Sequence, residues 1–117
     1  MMKIGLVDDS VILRSAIRNV LESSGYEIVL EAGNSEDLFM ALEKKMPDLL
    51  LLDVFFPTEN GLDILARLRK QYPSVKILMV TGLKQETITQ EAKRLGANGV
   101  LYKPFDTDEL LNAIKQA

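Results

Sequence analysis

The 117-residue chain has no cysteine and no histidine. Without thiols, disulfide frameworks, thiolate-bound zinc and iron–sulfur clusters are excluded. Without imidazole, any histidine chemistry must come from a partner. Positive charge is also scarce. Fourteen Lys and Arg stand against seventeen Asp and Glu, the net charge is −3 and the pI is near 5.0. That balance weighs against nucleic-acid binding, which wants a basic patch or stripe. No apolar run approaches the roughly 20 residues of a membrane span, and Met1-Met2-Lys3 does not open into a signal-peptide core. A cytoplasmic location is the default expectation. Repeats, low-complexity tracts and linkers are absent too. What remains is ordinary globular material, 47% hydrophobic and 26% charged, read as one domain over residues 1–117. A chain of this size buries roughly two thirds of its unfolded surface.

The punctuation is evenly spaced. Strand-like segments are expected at Lys3–Val7, Glu27–Ala32, Asp48–Asp53, Val75–Thr81 and Gly99–Tyr102. Helical periodicity fills the gaps. The first helix carries Leu13, Ala16, Ile17, Val20 and Leu21, with Ser10 as N-cap and Gly25 suited to a left-handed C′ position. The second begins at Asn34 or Ser35 and carries Leu38, Phe39, Leu42 and Met46. The third follows Asn60-Gly61, with Leu65, Leu68 and Tyr72, and ends before Pro73. The fourth runs from Gln85 to Leu95 on a thin stripe of Ile88, Ala92 and Leu95, and is expected to be the least firmly anchored. The last starts at Asp106, with Glu109 placed for a capping box. Five β-α alternations imply an α/β fold of three layers, a parallel sheet with helices on both faces. The flavodoxin-like, doubly wound strand order 2-1-3-4-5 places the switch point between the first and third strands.

Charge interrupts these strands at their C-terminal ends. Asp8-Asp9 follows the first, Asp53 ends the third and Lys103 follows the fifth. In an open parallel sheet those ends share one edge, where ligands bind. Carboxylates about 4 Å apart repel by roughly 4 kcal/mol per pair at an effective dielectric near 20, so three together call for counter-charge. An oxygen-only ligand set suits Mg²⁺, and Lys103 adds a compact positive charge. Thr81 contributes a hydroxyl at the end of the fourth strand, and Gly82 leaves an approachable N–H. Such a set can neutralise a phosphoryl group in transfer, with the Asp53 carboxylate as nucleophile. Taken singly, each feature also has a purely structural reading. Asp8-Asp9 could cap a helix, Asp53 could end a strand, Lys103 could be solvated and Thr81 could simply favour β structure.

The segments Val7-Asp8-Asp9-Ser10, Leu52-Asp53-Val54-Phe55-Phe56-Pro57, Asn60-Gly61-Leu62-Asp63, Thr81-Gly82 and Gly96 through Phe105 resemble, in this order, the receiver domain of bacterial response regulators. The likeness covers essentially the whole chain. It implies that Asp53 takes a phosphoryl group from a phosphohistidine on a histidine kinase or phosphotransfer protein, or from a small donor such as acetyl phosphate. It also implies Mg²⁺ held by Asp9 directly, by Asp8 mainly through water, by Asp53 and by the Phe55 backbone carbonyl. Thr81 and Lys103 would contact the phosphoryl oxygens, and the Lys103-Pro104 peptide would be cis. The partners implied are the kinase or phosphotransfer protein and a downstream target or output domain, with no membrane and no direct nucleic acid. The resemblance also allows a phosphorylation-dependent homodimer. Such a chain is a phosphoacceptor that catalyses its own phosphorylation and dephosphorylation rather than an enzyme. Its readout surface would be the fourth helix, fifth strand and fifth helix.

One departure stands out. The family usually carries Tyr or Phe three residues before the lysine, where this chain has Val100. Tyr102 shares that strand face and is expected either to serve the partner surface or to be an ordinary half-exposed tyrosine. Phe55 and Leu83, two residues after Asp53 and Thr81, are placed to shield the phosphoryl group from water. That shielding predicts slow autodephosphorylation, unless both side chains only pack locally. Three other classes compete. An aspartyl-nucleophile phosphatase would need an acid two residues after Asp53, where Phe55 stands. A flavin mononucleotide site would be repelled by Asp8-Asp9. A pseudo-receiver acting only as an interaction module would not need Asp8, Asp9, Asp53, Thr81 and Lys103 together.

Overall fold

Burial sorts the strands before any helix is considered. In the computed structural model, which describes residues 1–117, all five residues of β3 (Leu49–Asp53) are buried. Successive side chains of a strand face opposite sides of the sheet. Leu50 and Leu52 accordingly enter one core, while Leu49 and Leu51 enter the other. Flanking strands are β1 (Lys3–Val7), β2 (Glu27–Ala32), β4 (Lys76–Thr81) and β5 (Gly99–Tyr102). All pair in parallel, in the order β2-β1-β3-β4-β5. Both the order and the three-layer architecture agree with the reading from alternation.

Helices α1 (Val11–Ser23) and α5 (Thr107–Gln116) cover one face. The other is covered by α2 (Ser35–Lys44), α3 (Gly61–Gln71) and α4 (Glu86–Arg94). Local chemistry sets their ends. The Ser10 side chain accepts from Leu13 N–H, and Asp106 with Glu109 forms the full capping box. Gly25, just past α1, has φ +92°, the left-handed conformation expected of it. The α4 N-cap, Gln85, makes no side-chain cap bond, and Ala92 is the one fully buried α4 residue. This is the weak helix anticipated from its thin stripe.

Several boundaries differ from expectation. Met46 lies outside α2, which ends at Lys44, and it is exposed. Pro47 follows Met46, and a residue before proline is pushed away from helical dihedrals. Tyr72 caps α3 instead of extending it. Asp48 and Val75 precede β3 and β4. Asp48 uses its backbone N–H on the Lys3 carbonyl (2.7 Å) and its carboxylate on the Lys3 N–H (2.8 Å), tying the sheet bottom rather than joining the ladder.

Candidate functional site

At the C-terminal sheet edge the hydrogen bonding runs one residue past the ends of β1, β3 and β5. The Asp8 N–H donates to the Ala32 carbonyl (3.0 Å), Val54 N–H to the Val80 carbonyl (3.0 Å) and Lys103 N–H to the Thr81 carbonyl (2.8 Å). These bonds fix the backbone of Asp8, Val54 and Lys103 against neighbouring strands. Asp8 and Asp53 therefore face each other across the β1–β3 switch point. Ligand oxygens of Asp8, Asp9 and Asp53 all lie within 4.8 Å of one another. Asp8 and Asp53 are buried, and Asp9 is exposed at the rim.

Lys103 joins the cluster from β5. Its Nζ donates to Asp8 Oδ2 at 3.1 Å and to Asp53 Oδ2 at 3.3 Å. The remaining oxygens are also engaged. Asp8 Oδ1 accepts from Ser10 N–H (2.8 Å), and Asp53 Oδ1 accepts from Val54 N–H (2.9 Å). One ammonium against three carboxylates leaves the site two charges negative. Burial raises the Asp53 pKa above the ordinary carboxylate value, and the Asp8 charge pushes the same way against the opposing pull of Lys103. A divalent cation bound by oxygen would relieve that excess charge. The Lys103-Pro104 peptide is cis.

Thr81 is fully buried. Its hydroxyl oxygen accepts from Leu83 N–H at 3.1 Å, so here it serves the β4–α4 loop and makes no bond to Asp53 or Lys103. Phe55 and Leu83 are exposed large hydrophobics, at 44% and 46%. Tyr102 is not a free surface ring. Its hydroxyl pairs with the Thr89 hydroxyl of α4, and the Lys84 ammonium sits 5.6 Å from the ring centre. Val100 packs against the core beneath α4.

Gly61 explains how the loop after Asp53 turns so tightly. A Cβ there would sit 2.0 Å from the Asp53 carbonyl oxygen and 2.7 Å from the Val54 Cα, so only glycine fits the close backbone approach. Two residues escaped the sequence reading. Glu59, in this loop, bonds Ser35 at the start of α2, and Arg14 of α1 lines a small void with Asp8 and Asp53. Neither has a distinctive local spacing. Only the spacing of β2 and β3 in the folded sheet brings Glu59 to Ser35.

The family model for the response regulator receiver domain matches residues 4–115. The chain belongs to that family. This receiver is 32% identical to the chemotaxis protein CheY of Listeria monocytogenes over 117 residues, covering 100% of this chain and 98% of that protein. It is 33% identical to sporulation initiation phosphotransferase F of Bacillus subtilis over 114 residues, covering 97% and 91%. Among solved structures, Vibrio cholerae chemotaxis protein CheY4 superposes with a TM-score of 0.90 at 31% identity, covering 99% of the receiver and 98% of that chain.

Proposed function

We propose that this receiver is the phosphoacceptor of a two-component or phosphorelay system, with Asp53 as the residue modified. The observation that carries the reading is Lys103 bridging Asp8 and Asp53 within an all-oxygen acidic cluster. An Asp53 carboxylate oxygen attacks the phosphorus of a phosphohistidine on a kinase or phosphotransfer partner. As the new O–P bond forms, the P–N bond breaks and the imidazole nitrogen keeps its electron pair. Lys103 stays beside the developing charge, and Thr81 turns its hydroxyl from Leu83 toward the new phosphoryl oxygens. Asp8, Asp9, Asp53 and the Phe55 carbonyl would hold Mg²⁺, which supplies charge neutralisation at the phosphoryl oxygens.

The receiver is consumed and regenerated rather than turning over an external substrate. It speeds its own phosphorylation and dephosphorylation. Added charge at Asp53 favours the conformer in which Thr81 and Lys103 close on the phosphoryl group. The altered α4–β5–α5 face then meets a downstream target, an output domain or a second receiver. No helix is long and apolar enough to cross a membrane, which accords with action in the cytoplasm.

Incubation with acetyl phosphate and Mg²⁺, followed by intact mass, tests the assignment. Wild type gains a single phosphoryl adduct, and Asp53→Asn gains none. An unmodified wild type, or an adduct that survives in Asp53→Asn, contradicts it.

A further inference from the structure

Glu59 lies six residues after the acceptor, yet its carboxylate is spent on a different element. One oxygen accepts from Ser35 N–H at 2.8 Å and the other from the Ser35 hydroxyl at 2.5 Å. Ser35 is the first residue of α2, where a backbone N–H has no partner inside the helix. A carboxylate there also meets the positive end of the helix dipole.

Apart from the Val54 N–H, which donates to the Val80 carbonyl of β4 at 3.0 Å, the other backbone and cap bonds of loop 54–60 are to its own neighbours. Gly61 N–H donates to the Val54 carbonyl at 2.6 Å, Phe56 N–H to the Glu59 carbonyl at 3.3 Å, and Phe55 bridges Asn60. These close the loop on itself without setting its position relative to the β1–α1 turn that carries Asp8 and Asp9. The Glu59–Ser35 contact does set it. Two residues before Ser35, Gly33 lies against that turn, and a methyl group at Gly33 would meet the Asp8 carbonyl oxygen and the Asp9 Cα at 3.9 Å. Phe55 pairs with Asn60, the neighbour of Glu59; Glu59 holds Ser35; and the chain from Ser35 back to Gly33 reaches Asp8-Asp9, so contacts and short chain links join the loop to that turn. Farther out, the Arg67 guanidinium of α3 sits over the Phe39 ring of α2 at 4.3 Å, so α2 is also held by the helix that follows the loop.

We propose that Glu59 is a positioning residue for the divalent cation: its grip on Ser35 holds the loop bearing the Phe55 carbonyl in place relative to Asp8 and Asp9. The proposal rests on the receiver reading above. Glu59 is not itself a ligand. It acts through the loop, as outer contacts orient the groups that touch a metal. Releasing it obliges the loop to be ordered at the moment of cation binding, and affinity falls accordingly.

The test titrates Mg²⁺ into metal-free protein, followed by backbone amide NMR, for wild type, Glu59→Gln, Glu59→Ala, Ser35→Ala and Glu59→Ala/Ser35→Ala. The Mg²⁺ dissociation constant is expected to rise about 10-fold in Glu59→Ala, the low end for outer contacts to metal ligands. Glu59→Gln, which keeps an acceptor, rises less. Because the two side chains act as one unit, the double variant is no worse than Glu59→Ala alone. Phosphorylation by acetyl phosphate needs more Mg²⁺ in Glu59→Ala but reaches the wild-type rate at saturation. Unchanged Mg²⁺ affinity in both Glu59 variants overturns the proposal. So does a rate deficit that saturating Mg²⁺ leaves in place. A wild-type spectrum indifferent to Mg²⁺ overturns the receiver reading, and this proposal with it.

Discussion

Asp53 is buried between a like charge and a lysine, and its carboxyl is harder to ionise than an exposed one. A nucleophile in that setting depends on its neighbours. The tightest of them is Gly61. In Gly61→Ala the added methyl has nowhere to go except into the Asp53 and Val54 backbone. We expect a loss of roughly 2–4 kcal/mol by urea unfolding, on the scale of strained backbone sites, together with slower phosphorylation. A wild-type midpoint would contradict the close approach. Phe55 makes a different point. The residue is 44% exposed two positions beyond the acceptor, and in the proposed reading it limits the approach of water to an acyl phosphate. Phe55→Asn should shorten the phospho-Asp53 half-life by on the order of 10-fold, measured by loss of the mass adduct after donor removal. Equal half-lives lasting only seconds would remove Phe55 from the account. The convergence of Asp8, Asp9, Asp53 and Lys103 on one sheet edge was legible in the sequence, because each follows or ends an apolar run. The present engagement of the Thr81 hydroxyl with Leu83 was not, since a hydroxyl's partner depends on its rotamer.

Between elements, charge and caps do the joining. The Ser35 bonds hold the Glu59 pKa below the usual glutamate value, with Arg67 adding a smaller pull in the same direction. A depressed carboxylate pKa stabilises the fold above the ordinary value, and that contribution is lost as pH falls through the folded value. Glu59→Gln should therefore lower stability by about 1 kcal/mol at neutral pH, the usual worth of a capping contact. The gap from wild type should persist in mildly acidic buffer and close only as pH falls below the ordinary glutamate value, as followed by thermal unfolding between pH 7 and pH 3. A gap independent of pH would show that the charge of Glu59 contributes nothing. Helix α4 is the opposite case, with no side-chain N-cap bond and a single fully buried residue. The Tyr102–Thr89 hydroxyl pair and the Lys84 contact with the Tyr102 ring supplement its thin packing against the sheet. Sequence periodicity revealed that thinness in Ile88, Ala92 and Leu95. It could not reveal that Tyr102 reaches α4, because a strand pattern gives the face of a side chain and not the length of its reach. The misplaced end of α2 has a similar cause, since Met46 fits the helical stripe and only Pro47 breaks it.

For the whole molecule, the alternation of apolar runs and amphipathic helices was enough to give the sheet order. Parallel strands with right-handed crossovers leave few topologies, and β3 is apolar enough to be central. That order brings Asp8 and Asp53 both within hydrogen-bonding reach of Lys103. The account stands on this convergence serving phosphoryl transfer to one residue under the control of a divalent cation. The most direct measurement is borohydride reduction of the acetyl phosphate-treated receiver, with and without Mg²⁺, followed by peptide mass mapping. Reduction converts an aspartyl phosphate to homoserine, which marks its position. The account predicts homoserine at residue 53 alone, and only when Mg²⁺ is present. Homoserine at another aspartate, or equal yield in a chelator, would contradict it.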